Sequence, residues 1–460
     1  MKKTPRLSYG LLAAATLLPL ASVGLAQNSA APAPAATANG WQKPAWLTDL
    51  SAGVKESYDD NVLMVSGDGM KAKSSWISTV SPKVGVNVAP LLGHQTTLSA
   101  LTLVYAPDFV AFHNFPSESY DAHKISDSVK GKTGDLSYSL DNAFLYNDGD
   151  SVAPTYTGND KNRSAYATAF ARERLNQVQD RSTIVFQYDV NKFFLRPTAS
   201  LLYYNLMTDW RNVSGYQNYA SRSDVNGGLD LGYKVVPNVA VTVGYRYGSQ
   251  YQQALPASVD TSSSATVNGR RTQSSSDYQR VLVGVEGQPW SWLTVKAAGG
   301  PDFRVYNAAA PVPDDNAIDY YGEGALVATL SARQNVSFTY KHWEWVSSTG
   351  KCPYADSTYA LNYHVSATPK LGLDLGAKWL ESDYTSGAAK LTGNSSLRDD
   401  AEYSFTAGVS YAVTPHLSAS LTYGCDLGRN RQDLPASLAT TVGFRQFDHQ
   451  QVSLGVAYKF

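Results

Sequence analysis

The dominant pattern along this chain is an alternation of period two, and it is cleanest at the end. From Val452 every second residue is large and apolar (Val452, Leu454, Val456, Tyr458, Phe460), with Ser453, Gly455, Ala457 and Lys459 between them. Successive side chains of a strand point to opposite faces, so this is a strand with one apolar face and one small or polar face. Val239, Val241, Val243, Tyr245 and Tyr247 repeat the pattern, as do Tyr403, Phe405, Ala407, Val409, Tyr411 and Val413. The same reading along the chain predicts strands near 50–58, 76–88, 95–106, 122–131, 135–146, 181–191, 193–206, 222–234, 239–250, 277–287, 293–306, 318–331, 335–346, 356–368, 371–383, 400–413, 416–428 and 446–460. Alternation is weakest at 95–106, 122–131 and 318–331.

The connections alternate too. Short ones carry turn residues (Pro90 with Gly93, Gly131 with Gly134, Pro237-Asn238, Pro289, Pro369, Pro415), while long ones such as 261–276 and 385–398 are rich in Ser, Asp, Asn and Gly. Short turns at one end and long loops at the other predict an all-β fold: a transmembrane antiparallel up-and-down β-barrel of about 18 strands, with 16 as the alternative. The long loops are then extracellular, and both termini are periplasmic. A soluble propeller would repeat a blade of nearly fixed length, whereas these loops vary widely.

Composition supports a barrel over a helical membrane protein. The mean hydropathy is −0.27, but a barrel strand needs apolar residues on one face only. The 30 Tyr and 35 Gly against 4 Met suit membrane interfaces, packed strands and turns. A formal net charge of −1 supplies no basic field for nucleic acid. The two cysteines, Cys352 and Cys425, allow one disulfide at most, too few for a framework.

Residues 1–26 read as a signal peptide, with Lys2, Lys3 and Arg6 before an apolar core and small residues ending at Ala26. Residues 27–48 form an Ala/Pro-rich periplasmic linker, too short for a plug domain, and residues 49–460 the barrel.

Alternation also assigns the inward face. It carries Lys55, Lys83, Arg196, Lys234, Arg246, Arg280, Lys296, Arg304, Lys378 and Lys459 against Asp189, Asp230, Glu286, Asp302, Asp374 and Glu402. Arg246, Arg280 and Arg304 fall on three consecutive strands and are lumen selectivity candidates, since clustered guanidinium groups favour carboxylate or phosphate passage. The plainer reading pairs each with a neighbour such as Glu286 or Asp302. Within the longest connection, 147–180, the segment Ser164 to Gln179 contains helix formers behind a Ser164 cap. In general porins the third external loop folds inward, which makes Arg172, Glu173 and Arg174 constriction candidates; packing over the mouth is the alternative.

Val54 to Val62 (VKESYDDNV) leaves the first strand with Asp59, Asp60 and Asn61, a set of oxygens that begins the first external loop and could attract a hard cation. No metal or cofactor is expected. With the export signal, the repeated strands and the terminal Phe460, this stretch resembles the β-barrel porin 2 family of bacterial outer-membrane proteins over essentially the whole mature chain. The resemblance implies a barrel and suggests a pore, and it assigns neither substrate nor functional residues. The last strand (Val452, Leu454, Val456, Tyr458, Phe460) resembles the signal strand read by the barrel-assembly machinery.

The expected function is passive diffusion of small polar solutes through a water-filled lumen. The alternative is a surface-binding or structural barrel whose long loops engage a glycan or protein partner. Expected partners are outer-membrane lipid, the assembly machinery and small polar solutes, with a homo-oligomer left open. Catalysis is not expected: there is no GxSxG or HExxH, and the 7 His are scattered, with His342 and His364 nearest to facing neighbours.

Overall fold

A computed structural model describes residues 43–64, 72–92, 97–155, 171–205, 207, 221–253, 258–259, 266–267, 275–306, 316–346, 353–383, 399–431 and 447–460. The expected signal peptide and most of the linker lie outside the described residues, as does Cys352; Cys425 is a free thiol. The strands are β1 (Leu47–Asp59), β2 (Ser75–Asn87), β3 (Leu98–Tyr105), β4 (Asp108–Phe112), β5 (Tyr120–Thr133), β6 (Leu136–Thr155) and β7 (Ala171–Val190). They continue with β8 (Phe193–Asn205), β9 (Arg222–Val236), β10 (Val239–Gln252), β11 (Ser258–Val259), β12 (Thr266–Val267), β13 (Ser276–Trp290) and β14 (Leu293–Tyr306). The last are β15 (Asn316–Ser331), β16 (Gln334–Trp345), β17 (Tyr354–Ser366), β18 (Leu371–Asp383), β19 (Asp399–Ala412), β20 (Leu417–Asn430) and β21 (Phe447–Lys459).

Apart from the small β11–β12 hairpin, these strands form one closed antiparallel sheet. Strands β3 and β4 are two halves of one wall position, since both pair with β2 on one side and β5 on the other. Pro107 separates them because it has no N–H to give the ladder. The wall therefore has 18 positions, as the alternation predicts. Turn chemistry sets the short ends: Gly134 (φ 58°) and Asn191 (φ 55°) adopt the left-handed conformation that tight hairpins require.

The outer surface is apolar. Leu454 is 61% exposed, Val283 65% and Ile318 76%, and such a continuous exposed surface in water would be an aggregation hazard. Aromatic residues flank it. Near the short turns stand the Trp290–Trp292, Phe193–Tyr233 and Tyr458–Phe460 pairs, with ring centroids 5.8, 5.0 and 4.8 Å apart. Toward the long loops stand Tyr58–Trp76 and the row Tyr340, Tyr359, Trp379 and Tyr403. A valine- and leucine-rich belt between two aromatic girdles on a closed, even-numbered barrel is the form of a bacterial outer-membrane protein. The chain spans that membrane, with the short turns periplasmic.

The barrel closes where β1 meets β21, in register from Ser51↔Lys459 to Asp59↔Gln451. Phe460 N donates to Leu50 O (2.9 Å) at the periplasmic end, and Asp60 N donates to Gln450 O (3.1 Å) at the other. Asp59, Asp60 and Asn61 fasten the top of this seam. Asp59 pairs with His449 at 3.2 Å, Asp60 Oδ1 accepts from Gln450 N at 2.7 Å, and Asn61 Nδ2 donates to Asp448 O at 2.8 Å.

Strands β6 and β7 differ from the sequence expectation. Ala171 to Gln179 is strand, so the helix expected there does not form; residues 164–170 lie outside the described residues. Pairing of β6 with β7 continues to Thr155↔Ala171, whereas the pairing of β6 with β5 ends at Ala122↔Asn147 and that of β7 with β8 at Val178↔Asn205. Ladder hydrogen bonds to β6 engage the backbone of this segment, and this outweighs its modest helix propensity.

Candidate functional site

The inward side chains are mostly paired. In the periplasmic half, Lys234 meets Asp189 at 2.6 Å. Arg196 forks onto Glu286 three wall positions away, with one Nη1–Oε2 bond of 2.8 Å, and stacks on Phe194. Arg246 lies 2.7 Å from Asp230. Of the three arginines expected to set selectivity, Arg246 is thus held by a carboxylate.

Arg304 departs further from expectation. It points inward, but its side chain is 0% exposed. It donates to Asp302 (3.2 and 2.8 Å), Gln250 Oε1 (2.8 Å), Ser276 Oγ (3.3 Å) and the Glu344 carbonyl (3.3 Å). Five donors are used, which is all a guanidinium has. Arg280 is different. Its Nε donates to Asp302 (2.9 Å), and it lies between the rings of Tyr278 and Tyr321, at 3.9 and 4.4 Å. Its Nη2 is buried without a hydrogen-bond partner.

The Glu344 carbonyl reaches Arg304 because the top of β16 leaves the wall. Strand β14 pairs with β15 up to Val305↔Asn316, but β15 pairs with β16 only up to Gly322↔His342. Strand β16 stays with β17 up to Trp345↔Tyr354. A wedge therefore opens between β15 and β16 toward the extracellular end, and the β16–β17 corner leans inward. Among the described residues its partners there include lumen-facing side chains from other parts of the wall. Gln250 Nε2 donates to Glu344 O (2.9 Å) and Arg222 Nη1 to Val346 O (2.9 Å). Arg222 also stacks on Trp345 (5.1 Å), and Leu202 packs on the buried cluster of Trp343, Trp345, Val346 and Tyr354. On the lipid side, Tyr320 and His342 stack at 3.9 Å across the foot of the wedge.

Below this corner is an open cavity of about 1020 Å³, lined by both signs of charge, including Arg181, Arg246, Arg280, Lys296 and Lys341 against Asp127, Asp141, Glu286 and Glu323. Arg181 and Lys341 were absent from the sequence-based lumen set. Lys341 sits on the lumen parity of β16, and its Nζ lies 3.6 Å from the Trp343 ring centroid. Arg172, Glu173 and Arg174 lie on the extension of β7, and their side chains lie outside what the structure describes.

No protein-family model matches the chain, and no curated protein matches it. Among solved structures it is similar to the FrpB iron transporter of Neisseria meningitidis (F5-1 variant) at 10% identity, over 90% of this chain and 82% of that one, with a TM-score of 0.41. It is also similar to the outer-membrane protein opdK of Pseudomonas aeruginosa and to OccAB3 of Acinetobacter baumannii. Each is 12% identical over 90% of this chain and 99% of the other, with a TM-score of 0.40. At these values nothing about solute, iron or mechanism transfers to this chain.

Proposed function

We propose that this protein is a porin-like outer-membrane channel that passes small polar solutes by passive diffusion, with the inward-leaning end of β16 as its constriction. The observation that carries this reading is the lumen. An 18-position barrel is too wide for its own side chains to fill, and a cavity of about 1020 Å³ walled by charged side chains is present beneath the β16–β17 corner. Purified protein in planar bilayers will give discrete unitary currents over a range of salts and voltages; no openings under any of these conditions removes the reading.

The same proposal includes an export signal at 1–26, a linker at 27–48, membership of the β-barrel porin 2 family, and recognition of Val452, Leu454, Val456, Tyr458 and Phe460 by the assembly machinery. The five side chains stand on the lipid face of β21, where such recognition needs them. No chemistry is assigned to the chain, and association into a homo-oligomer belongs to the proposal only as an arrangement the lipid face permits.

A second reading, surface binding, is favoured by one observation. Beyond Asn147 and Val178 the β6–β7 hairpin continues without a paired strand on either side among the described residues. It carries Arg172, Glu173 and Arg174 toward the cell exterior, where a glycan or protein could meet them. Deleting its outer part will abolish such binding and leave permeability unchanged.

A further inference from the structure

We propose that the lumen contains a built subsite for the carboxylate of a small organic monoanion, formed by the Arg280 guanidinium and the Lys341 ammonium beneath the β16–β17 corner. This rests on the channel reading above and names the solute class.

Arg280 is preorganised as an anion receptor. Its side chain is 6% exposed, its Nε is fixed by Asp302, and its plane is clamped between Tyr278 and Tyr321. Yet Nη2 points to no acceptor. A buried charged donor without an acceptor is costly, and an acceptor arriving from the cavity removes that cost. Lys341 lines the same cavity. It is held over Trp343 at 3.6 Å, and among the described residues no carboxylate lies within ion-pair distance of it. Together these groups make a short run, Tyr278, Arg280, Tyr321, Trp343 and Lys341, in which rings hold two cations in place and Tyr321 packs against the cluster containing Trp343.

The pairing of the two cations sets the valence. Arg280 is ion-paired with Asp302, whereas Lys341 has no such partner among the described residues. One further negative charge balances the pair, which suits a monoanion better than a dianion; Asp224 and Glu323 line the same cavity. Both carboxylates are occupied by neutral donors. Glu323 accepts from Tyr321 (2.7 Å), and Asp224 accepts from Tyr278 (2.8 Å) and Gln250 (2.8 Å). They temper the site without closing it. A carboxylate entering this cavity finds a hydrogen-bond donor in the free Nη2 and an opposite charge in the ammonium, and the rings of Tyr321 and Trp343 give its organic body an apolar wall.

The test uses the full-length protein in planar bilayers, with benzoate and inorganic phosphate as probes of current block at constant ionic strength. Benzoate will block the wild-type channel, and phosphate will need about tenfold more. Lys341→Gln and Arg280→Lys will each raise the half-blocking benzoate concentration about tenfold. Lys378→Gln, an inward-facing lysine that does not line this cavity, will leave it within about twofold. Retained heat-modifiable gel mobility shows that each variant is folded. Unchanged benzoate block in both Lys341→Gln and Arg280→Lys overturns the subsite, and phosphate block as strong as benzoate overturns its assignment to a monocarboxylate. If no variant conducts at all, the channel reading fails instead. Calorimetric titration of benzoate into detergent-solubilised wild type and Lys341→Gln then decides the subsite alone, because equal affinities overturn it.

Discussion

Two seams of the same barrel behave in opposite ways. Between β1 and β21 the ladder runs unbroken from Ser51↔Lys459 to Asp59↔Gln451, and side chains fasten it further, with Ser57 Oγ donating to Ser453 Oγ at 2.8 Å in the middle and His449 set between Asp59 and Asp426 at the top. Between β15 and β16 the ladder stops at Gly322↔His342, and the strand end finds its partners across the lumen. The first seam closes the membrane wall. The second gives up wall hydrogen bonds and satisfies the freed backbone with Gln250, Arg304 and Arg222, which is permissible only because that backbone is buried in protein. A wall strand can therefore leave its neighbour and lean into the lumen where side chains there take over its backbone hydrogen bonds.

The largest effect expected from breaking this comparison is at the closed seam. Leu454→Arg places a cation on the lipid face of β21 and will destabilise the barrel by about 2–4 kcal/mol, read as loss of folded, heat-modifiable protein on gels. At the open seam, Arg222→Ala removes the donor to Val346 O and Tyr354 Oη together with the Trp345 stack. It will loosen the corner by about 1–3 kcal/mol, seen as faster backbone hydrogen exchange over 341–346, with the β1–β21 seam unaffected.

Much of this was legible in the chain and some was not. The strands could be read because lipid forces every second side chain to be apolar, so Val239 to Tyr247 and Val452 to Phe460 declare both their conformation and their orientation. The stretch from Ala171 to Gln179 misled because helix propensity is a weak local preference, and pairing with β6 is a tertiary fact. The inward orientation of Arg304 follows from alternation, but its saturation does not, because Gln250 and the Glu344 carbonyl reach it from strands distant in sequence. One signal of the leaning corner was present. At the top of β16, Trp343 and Trp345 occupy the lumen parity and Glu344 the lipid parity of Phe338 and Tyr340, an inversion that a strand remaining in the wall would not tolerate.

Smaller effects sharpen the contrast. His342→Ala removes the stack on Tyr320 across the foot of the wedge and will cost about 0.5–1.5 kcal/mol, measurable as a lower thermal midpoint with unchanged single-channel conductance. Arg429→Ala breaks an exposed pair with Asp448, 2.6 Å long, near the top of the closed seam. It will change stability by less than about 1 kcal/mol, and the same thermal scan checks it.

The central claim is that the end of β16 narrows the conducting path, and unitary conductance of a Trp343→Ala/Trp345→Ala variant tests it most directly. Removing both indoles from the cluster against Leu202 and Arg222 will raise the conductance about twofold while gel mobility shows an intact barrel. A folded variant that conducts as the wild type does would contradict the account.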